Sequence, residues 1–191
     1  MNKAIFIDKD GTLIPDIPYN VNPELITLQE GVTEGLKLLK AQGYKFIMIS
    51  NQSGVARGYF KEEAMAGVKD KIQALLEADN IQFDGFYWSF NHPQGTVAKY
   101  TVECNFRKPK PGMILQAAEE HQIDLKQSWM IGDILNDVEA GKKAGCQTVL
   151  IDNGNETEWV MNTDRTPDYK AKNFFQAAAY ITDVHSTDLG M

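Results

Sequence analysis

Short apolar runs that stop abruptly at a small polar or acidic residue constrain this chain more than any other feature. Ala4-Ile5-Phe6-Ile7 ends at Asp8, Phe46-Ile47-Met48-Ile49 at Ser50, and Trp129-Met130-Ile131 at Gly132-Asp133. Runs of this length without polar alternation fit strands buried on both faces, as parallel sheets require. Phe83 to Trp88 and Thr148 to Ile151 read as two further strands.

Between these runs the apolar spacing changes from continuous to helical. Gly31 to Gln42 places Val32, Leu36 and Leu39 on one face, with Gly43 as the stop. Lys61 to Asp79 carries Met65, Val68, Ile72, Leu75 and Leu76 at spacings of three and four. Helices are also expected from Pro111, a favourable first-turn residue, to His121, and from Asp137 to Gly145. The stretch from Asp152 to Met191 is less regular, with one alanine-rich helix near Phe174 to Ile181 that should pack back on the sheet. Strands alternating with helices imply right-handed βαβ crossovers, hence an open α/β sheet covered on both sides. Ligands of such sheets bind beyond the carboxyl ends of the strands, so Asp8, Ser50 and Asp133 become candidates for one site.

Length and charge limit the function. A chain of 191 residues with 43% hydrophobic content can bury a full core as one domain, residues 1–191, with no linker or repeat. A net charge of −7 argues against nucleic-acid and anionic-membrane partners. An anionic ligand must then be met by a local cation cluster or a metal. Two cysteines, Cys104 and Cys146, suit a reducing compartment, and the N-terminal apolar run is too short for a signal peptide, so a cytoplasmic location is expected.

Asp8-Lys9-Asp10-Gly11-Thr12 is the most informative stretch. Two carboxylates two residues apart, directly after a buried strand, can project toward a hard cation such as Mg²⁺, and Gly11 allows the sharp turn that keeps them close. A plain Asp/Gly turn is the alternative. The other strand and helix ends add specificity. Ser50 offers a hydroxyl, Arg107-Lys108-Pro109-Lys110-Pro111 a cation cluster before a helix, and Gly132-Asp133 with Asp137 further carboxylates. Each is ordinary alone. Together, in this order, they describe a phosphoryl-transfer site.

At these residues the chain resembles the haloacid-dehalogenase superfamily of phosphatases. The four motifs of that superfamily match at Asp8-x-Asp10-Gly11-Thr12, Ser50, Lys108 and Gly132-Asp133-x-x-x-Asp137, spanning about residues 4 to 151. The resemblance implies a Rossmann-like three-layer sandwich with no separate cap domain. It also implies a Mg²⁺-dependent phosphomonoesterase with Asp8 as nucleophile and Asp10 as general acid and base. Ser50 and Lys108 would hold phosphoryl oxygens, Asp8, Asp133 and the main-chain carbonyl of Asp10 would bind Mg²⁺, and Asp137 would stand behind them. The physics agrees: a carboxylate attacking a phosphate needs its charge and the phosphate's offset, and splitting hydrolysis through an aspartyl-phosphate needs two carboxylates with different tasks.

Within the superfamily, Asn51-Gln52-Ser53-Gly54-Val55-Ala56-Arg57-Gly58, His92-Pro93-Gln94-Gly95 and Arg107 to Met113 are similar to the heptose-1,7-bisphosphate phosphatases and, next, the histidinol-phosphate phosphatases. The expected substrate is therefore a small phosphorylated metabolite, with a sugar phosphate first, Asn51 and Arg107 as substrate-binding residues, and a monomer as the working unit. A phosphate-binding module without strong catalysis is the alternative of another class. The zinc-binding pattern usual in this branch, Cys-x-His and Cys-x-Cys, reads here as Ser89, Asn91, Cys104 and Phe106. One thiolate cannot supply a tetrahedral site, so no zinc is expected, and Trp88, Phe90 and Phe106 are expected to replace it by packing.

Overall fold

The computed structural model describes residues 1–190 and contains one six-stranded, wholly parallel sheet. Its strands are β1 (Ala4–Ile7), β2 (Lys45–Asn51), β3 (Gly85–Ser89), β4 (Trp129–Gly132), β5 (Gln147–Ile151) and β6 (Tyr169–Ala171). They lie in the order β3-β2-β1-β4-β5-β6. The chain leaves β1 toward one edge and returns beside it as β4, which makes the β1/β4 crevice the topological switch point.

The helices are α1 (Val32–Ala41), α2 (Met65–Glu77), α3 (Gly112–His121), α4 (Leu135–Ala144) and α5 (Phe174–Leu189). Side chains alternate across the sheet and so sort the helices into two layers. Ile5, Ile7, Met48 and Ile131 face a core shared with Leu36 and Leu39 of α1, Val68 and Ile72 of α2, and Phe174 and Ile181 of α5. Ala4, Phe6, Ile47, Ile49 and Met130 face the opposite core, filled by Met113, Ile114 and Ala117 of α3 and Ala140 and Ala144 of α4. The three-layer α/β sandwich expected from the sequence is the observed architecture.

Several boundaries move. The second helix begins as a 3₁₀ turn at Glu62–Ala64 before α2, and Pro111 is the N-terminal cap of α3 rather than a first-turn residue. The fourth begins at Leu135, two residues before Asp137. The largest departure is at the C-terminal end. The irregular stretch contributes β6, which escaped notice because Tyr-Lys-Ala has no apolar run, and α5 continues to Leu189 rather than stopping near Ile181. α5 packs on α1 so closely that a Cβ at Gly35 would lie 2.7 Å from the Phe174 ring.

Candidate active site

Asp8 follows β1, Ser50 lies near the end of β2, and Asp133 follows β4, so three neighbouring strands deliver them to one rim of the sheet. Lys108 arrives from the loop before α3. Its side chain is 3% exposed, and the ammonium lies 2.6 Å from Asp8 Oδ1, 2.7 Å from Asp137 Oδ1 and 3.0 Å from the Ile49 carbonyl. Burial works against this charge, but the Asp137 and Asp8 carboxylates more than offset it and hold the Lys108 pKa above its ordinary value. A lysine buried this fully requires such partners.

The turn after β1 forms because Gly11 can adopt φ +81°, with Leu13 N and Ile14 N both donating to the Lys9 carbonyl. The same turn brings Asp133 against it: a Cβ on Gly11 would sit 2.1 Å from Asp133 Oδ2. Asp133 Oδ2 accepts from Asn155 Nδ2 at 2.7 Å, and Asn153 Nδ2 donates to the Gly11 carbonyl at 2.9 Å, so the loop after β5 braces both. Asp137, in the first turn of α4, accepts with Oδ2 from the main-chain N–H groups of Asp133 and Ile134. Gly132 leaves room for it, since a Cβ there would meet Asp137 Oδ2 at 2.2 Å. With Oδ1 on Lys108, both oxygens of Asp137 are engaged.

Carboxylate oxygens of Asp8, Asp133 and Asp137 lie within 4.8 Å of one another, the only such group of three or more metal-ligating side chains among the described residues. Burial first, then the charges of Asp8 and Asp137, push the Asp133 carboxyl far above the usual carboxylate range. Three crowded acids against one lysine leave negative charge without a counter-ion, and the donors are all hard oxygens. The set therefore fits Mg²⁺.

Asp10 turns away from this cluster. Its Oδ1 is 2.8 Å from Lys9 Nζ and its Oδ2 3.2 Å from Gln52 Nε2, while its main chain pairs with Ile14 in an isolated bridge. Gln52 Nε2 also donates to Ser50 Oγ at 2.7 Å. Asn51, expected on the substrate, directs its side chain to the main chain of Lys108: Oδ1 accepts from the Lys108 N–H at 3.0 Å and Nδ2 donates to the carbonyl at 3.1 Å. Arg107 is half-buried and donates to the Asn91 carbonyl at 3.4 Å. Its pKa is lowered by burial and then by the charge of Arg57. Arg57 in turn lies 3.3 Å from His92 Nε2, and its buried Nε has no partner among the described residues. Two guanidiniums and an imidazole thus share the loops beside Lys108.

Sequence reasoning missed Lys9, Gln52, Arg57, Asn153 and Asn155 as parts of this site. For the first three, adjacency to the motifs was a signal. For the two asparagines only the fold supplies the connection. In the loop expected to pack without zinc, Ser89 Oγ and Cys104 Sγ lie 3.9 Å apart, and Trp88 and Phe90 pack against the core. The expected third member of that packing, Phe106, is instead 44% exposed, on a turn closed by the Gly112 N–H donating to the Asn105 carbonyl at 2.9 Å. A cleft of about 790 Å³, lined by Lys40, Lys45, Asp70, Glu77 and Asp84 among others, holds none of the site residues.

Residues 105–177 match a family model described as HAD-hydrolase-like. The chain is 41% identical over 155 residues to the D-glycero-beta-D-manno-heptose-1,7-bisphosphate 7-phosphatase of Pasteurella multocida, covering 81% of this chain and 84% of that one. It is 36% identical over 150 residues to the D-glycero-alpha-D-manno-heptose-1,7-bisphosphate 7-phosphatase of Burkholderia mallei, covering 78% and 79%. Among solved structures, the D,D-heptose 1,7-bisphosphate phosphatase of B. bronchiseptica complexed with magnesium and phosphate superposes with a TM-score of 0.77 at 25% identity, covering 95% of this chain and 99% of that one.

Proposed function

Because the chain belongs to the haloacid-dehalogenase-like phosphatase family that includes the heptose-1,7-bisphosphate 7-phosphatases, we propose that it hydrolyses one phosphate of a heptose 1,7-bisphosphate through an aspartyl-phosphate on Asp8. That it is a phosphoric monoester hydrolase follows from the family. The observation that carries the reading of the site is the Lys108 ammonium held 2.6 Å from Asp8 Oδ1 beside two further buried acids at the switch point of the sheet.

The chemistry assigns each group a task. Asp8 attacks phosphorus, and Lys108 and Ser50 take the phosphoryl oxygens as their charge redistributes. Asp10 gives a proton to the departing sugar alkoxide and then takes one from the water that cleaves the aspartyl-phosphate. Asp8, Asp133 and the Asp10 carbonyl would hold Mg²⁺, which when bound supplies positive charge that lets two anions meet. Asp137 anchors Lys108, and Asn51 fixes the main chain that carries it.

Arg107 and Arg57 suit the substrate's second phosphate. The Arg57 guanidinium lies close enough to disfavour the Arg107 charge, and its own buried Nε has no hydrogen-bond partner among the described residues, so a dianion between the two would be stabilised. The same proposal includes a structural role without zinc for the loop of Ser89, Asn91, Cys104 and Phe106, a single domain, a monomer and a cytoplasmic setting. The described residues contain no helix long and apolar enough to cross a membrane.

The test is Mg²⁺-dependent phosphate release from the α and β anomers of heptose 1,7-bisphosphate, with histidinol phosphate and the monophosphates as controls. The bisphosphate should have the highest kcat/KM, and Arg107→Ala should reduce that preference over the monophosphates. Equal rates on all substrates would overturn the sugar-bisphosphate reading. Phosphate-analogue binding without turnover of any substrate would support a binding module instead.

A further inference from the structure

We propose that Gln52 is a positioning residue that sets the direction of the Ser50 hydroxyl and couples it to Asp10. The inference rests on the reading above, in which Ser50 holds a phosphoryl oxygen and Asp10 is the acid and base. Three contacts carry it. The Gln52 main-chain N–H donates to the Ser89 carbonyl at 2.7 Å, which fixes the residue across the ends of β2 and β3. Its Nε2 donates to Ser50 Oγ at 2.7 Å and to Asp10 Oδ2 at 3.2 Å. Gln52 is 6% exposed and Ser50 1% exposed, so the contact between them is formed away from bulk water, while Asp10 keeps one edge open to solvent with its side chain 33% exposed.

The ion pair of Asp10 with Lys9 selects one orientation of the amide. Reversing it would set the buried Gln52 carbonyl oxygen against the carboxylate that Asp10 presents while paired with Lys9 Nζ, an acceptor against an acceptor. Nε2 therefore faces both partners and gives one hydrogen to each. Ser50 Oγ is then an acceptor toward Gln52, its only hydrogen-bond partner among the described residues. A hydroxyl has a single proton. With Gln52 donating, that proton is left to point away from Gln52 and to donate to the phosphoryl oxygen. Without that donor the Ser50 hydroxyl would rotate freely and present its proton to the phosphoryl oxygen only part of the time. The same amide, together with Lys9 Nζ on Oδ1, holds the Asp10 carboxylate by both oxygens. One carboxamide thus orients a group on the phosphoryl and a group on the leaving oxygen.

The test compares Gln52→Met and Gln52→Glu, which keep the side chain's length, with Ser50→Ala, Asp10→Asn and the Gln52→Met/Ser50→Ala double variant. Circular dichroism and Tm monitor folding. Steady-state kinetics are measured on a sugar phosphate and on p-nitrophenyl phosphate, with Mg²⁺ present throughout. Gln52→Met should lower kcat about 10- to 100-fold with little change in KM, as expected for a lost oriented donor. Gln52→Glu should be at least as impaired, because it removes the donor and adds charge beside Asp10. The Gln52→Met loss should shrink several-fold in the Ser50→Ala background, and it should be larger for the sugar phosphate than for p-nitrophenyl phosphate, whose leaving group needs no proton.

Full additivity of the Gln52 and Ser50 effects, or equal losses on both substrates, would overturn the positioning role while leaving the parent reading intact. So would a Gln52→Glu enzyme as active as wild type. Unchanged turnover in Ser50→Ala and Asp10→Asn would overturn the parent reading, and this inference with it.

Discussion

Asp133 Oδ2 occupies the space where a side chain at residue 11 would begin: a Cβ on Gly11 would lie 2.1 Å from that oxygen. The turn that carries Asp8 and Asp10 and the strand end that carries Asp133 are therefore mutually dependent. Gly11→Ala should cost roughly 1–3 kcal/mol for the left-handed backbone alone, and more as Asp133 is displaced. Urea unfolding and Mg²⁺-dependent turnover should fall together. A variant that loses neither would show that the two loops do not share this space.

Lys108→Met is expected to be destabilising as well as inactive. It removes the cation paired with Asp8 and Asp137 and leaves buried acids without it, a loss of about 3–5 kcal/mol when one partner of a buried pair is removed. Adding Asp137→Asn to that variant should recover part of the stability but none of the turnover, as read by chemical denaturation and phosphate release.

Asp8→Asn should abolish turnover on every substrate while the fold survives, because it removes the oxygen proposed to attack and relieves charge crowding around Asp133. Its Tm in the absence of Mg²⁺ should equal or exceed that of the wild type. Thermal melts and phosphate assays side by side check both halves, and wild-type turnover by the variant would show that another group attacks.

Removing Mg²⁺ should stop catalysis and change proton binding. Burial and neighbouring charges raise the Asp133 pKa, so the metal-free protein retains a proton there that the unfolded chain has released. Raised folded-state affinity for a proton favours the metal-free fold as pH falls from that raised value toward the ordinary carboxylate value, and the benefit is lost as pH rises through it. Mg²⁺ needs the ionised form, so its addition at neutral pH should release protons, and the rise in Tm it causes should grow with pH. Weakly buffered titration and paired melts at two pH values measure both effects.

His92 offers a separate pH reading. Burial first, then Arg107 and Arg57, lower its pKa, so the folded protein loses stability from this group as pH falls below the ordinary histidine value. Arg107→Gln should raise the His92 pKa toward that value, as followed by NMR titration of the imidazole protons. No change would place the Arg107 charge outside its reach.

Much of this was legible along the chain. Ile5 and Ile7 on one face and Phe6 on the other follow from a strand whose neighbours leave no solvent-facing side, so an apolar run without alternation announced the parallel sheet. Asp8, Ser50 and Asp133 could be placed because strand ends are visible where apolar runs stop. β6 could not, since an edge strand of three residues carries no distinguishing pattern. The packing expected of Phe106 failed because its exposure depends on the path of the loop rather than on its own hydrophobicity.

The division has one physical origin. Residue type and local period are short-range properties, and they determined the α/β class, the strand ends and the phosphatase motifs. Which donor faces which acceptor is set by the order β3-β2-β1-β4-β5-β6, which brings together side chains separated by a hundred residues or more. Only the folded chain could decide that Asn51 fixes Lys108, that Asn155 braces Asp133, and that Gln52 joins Ser50 to Asp10.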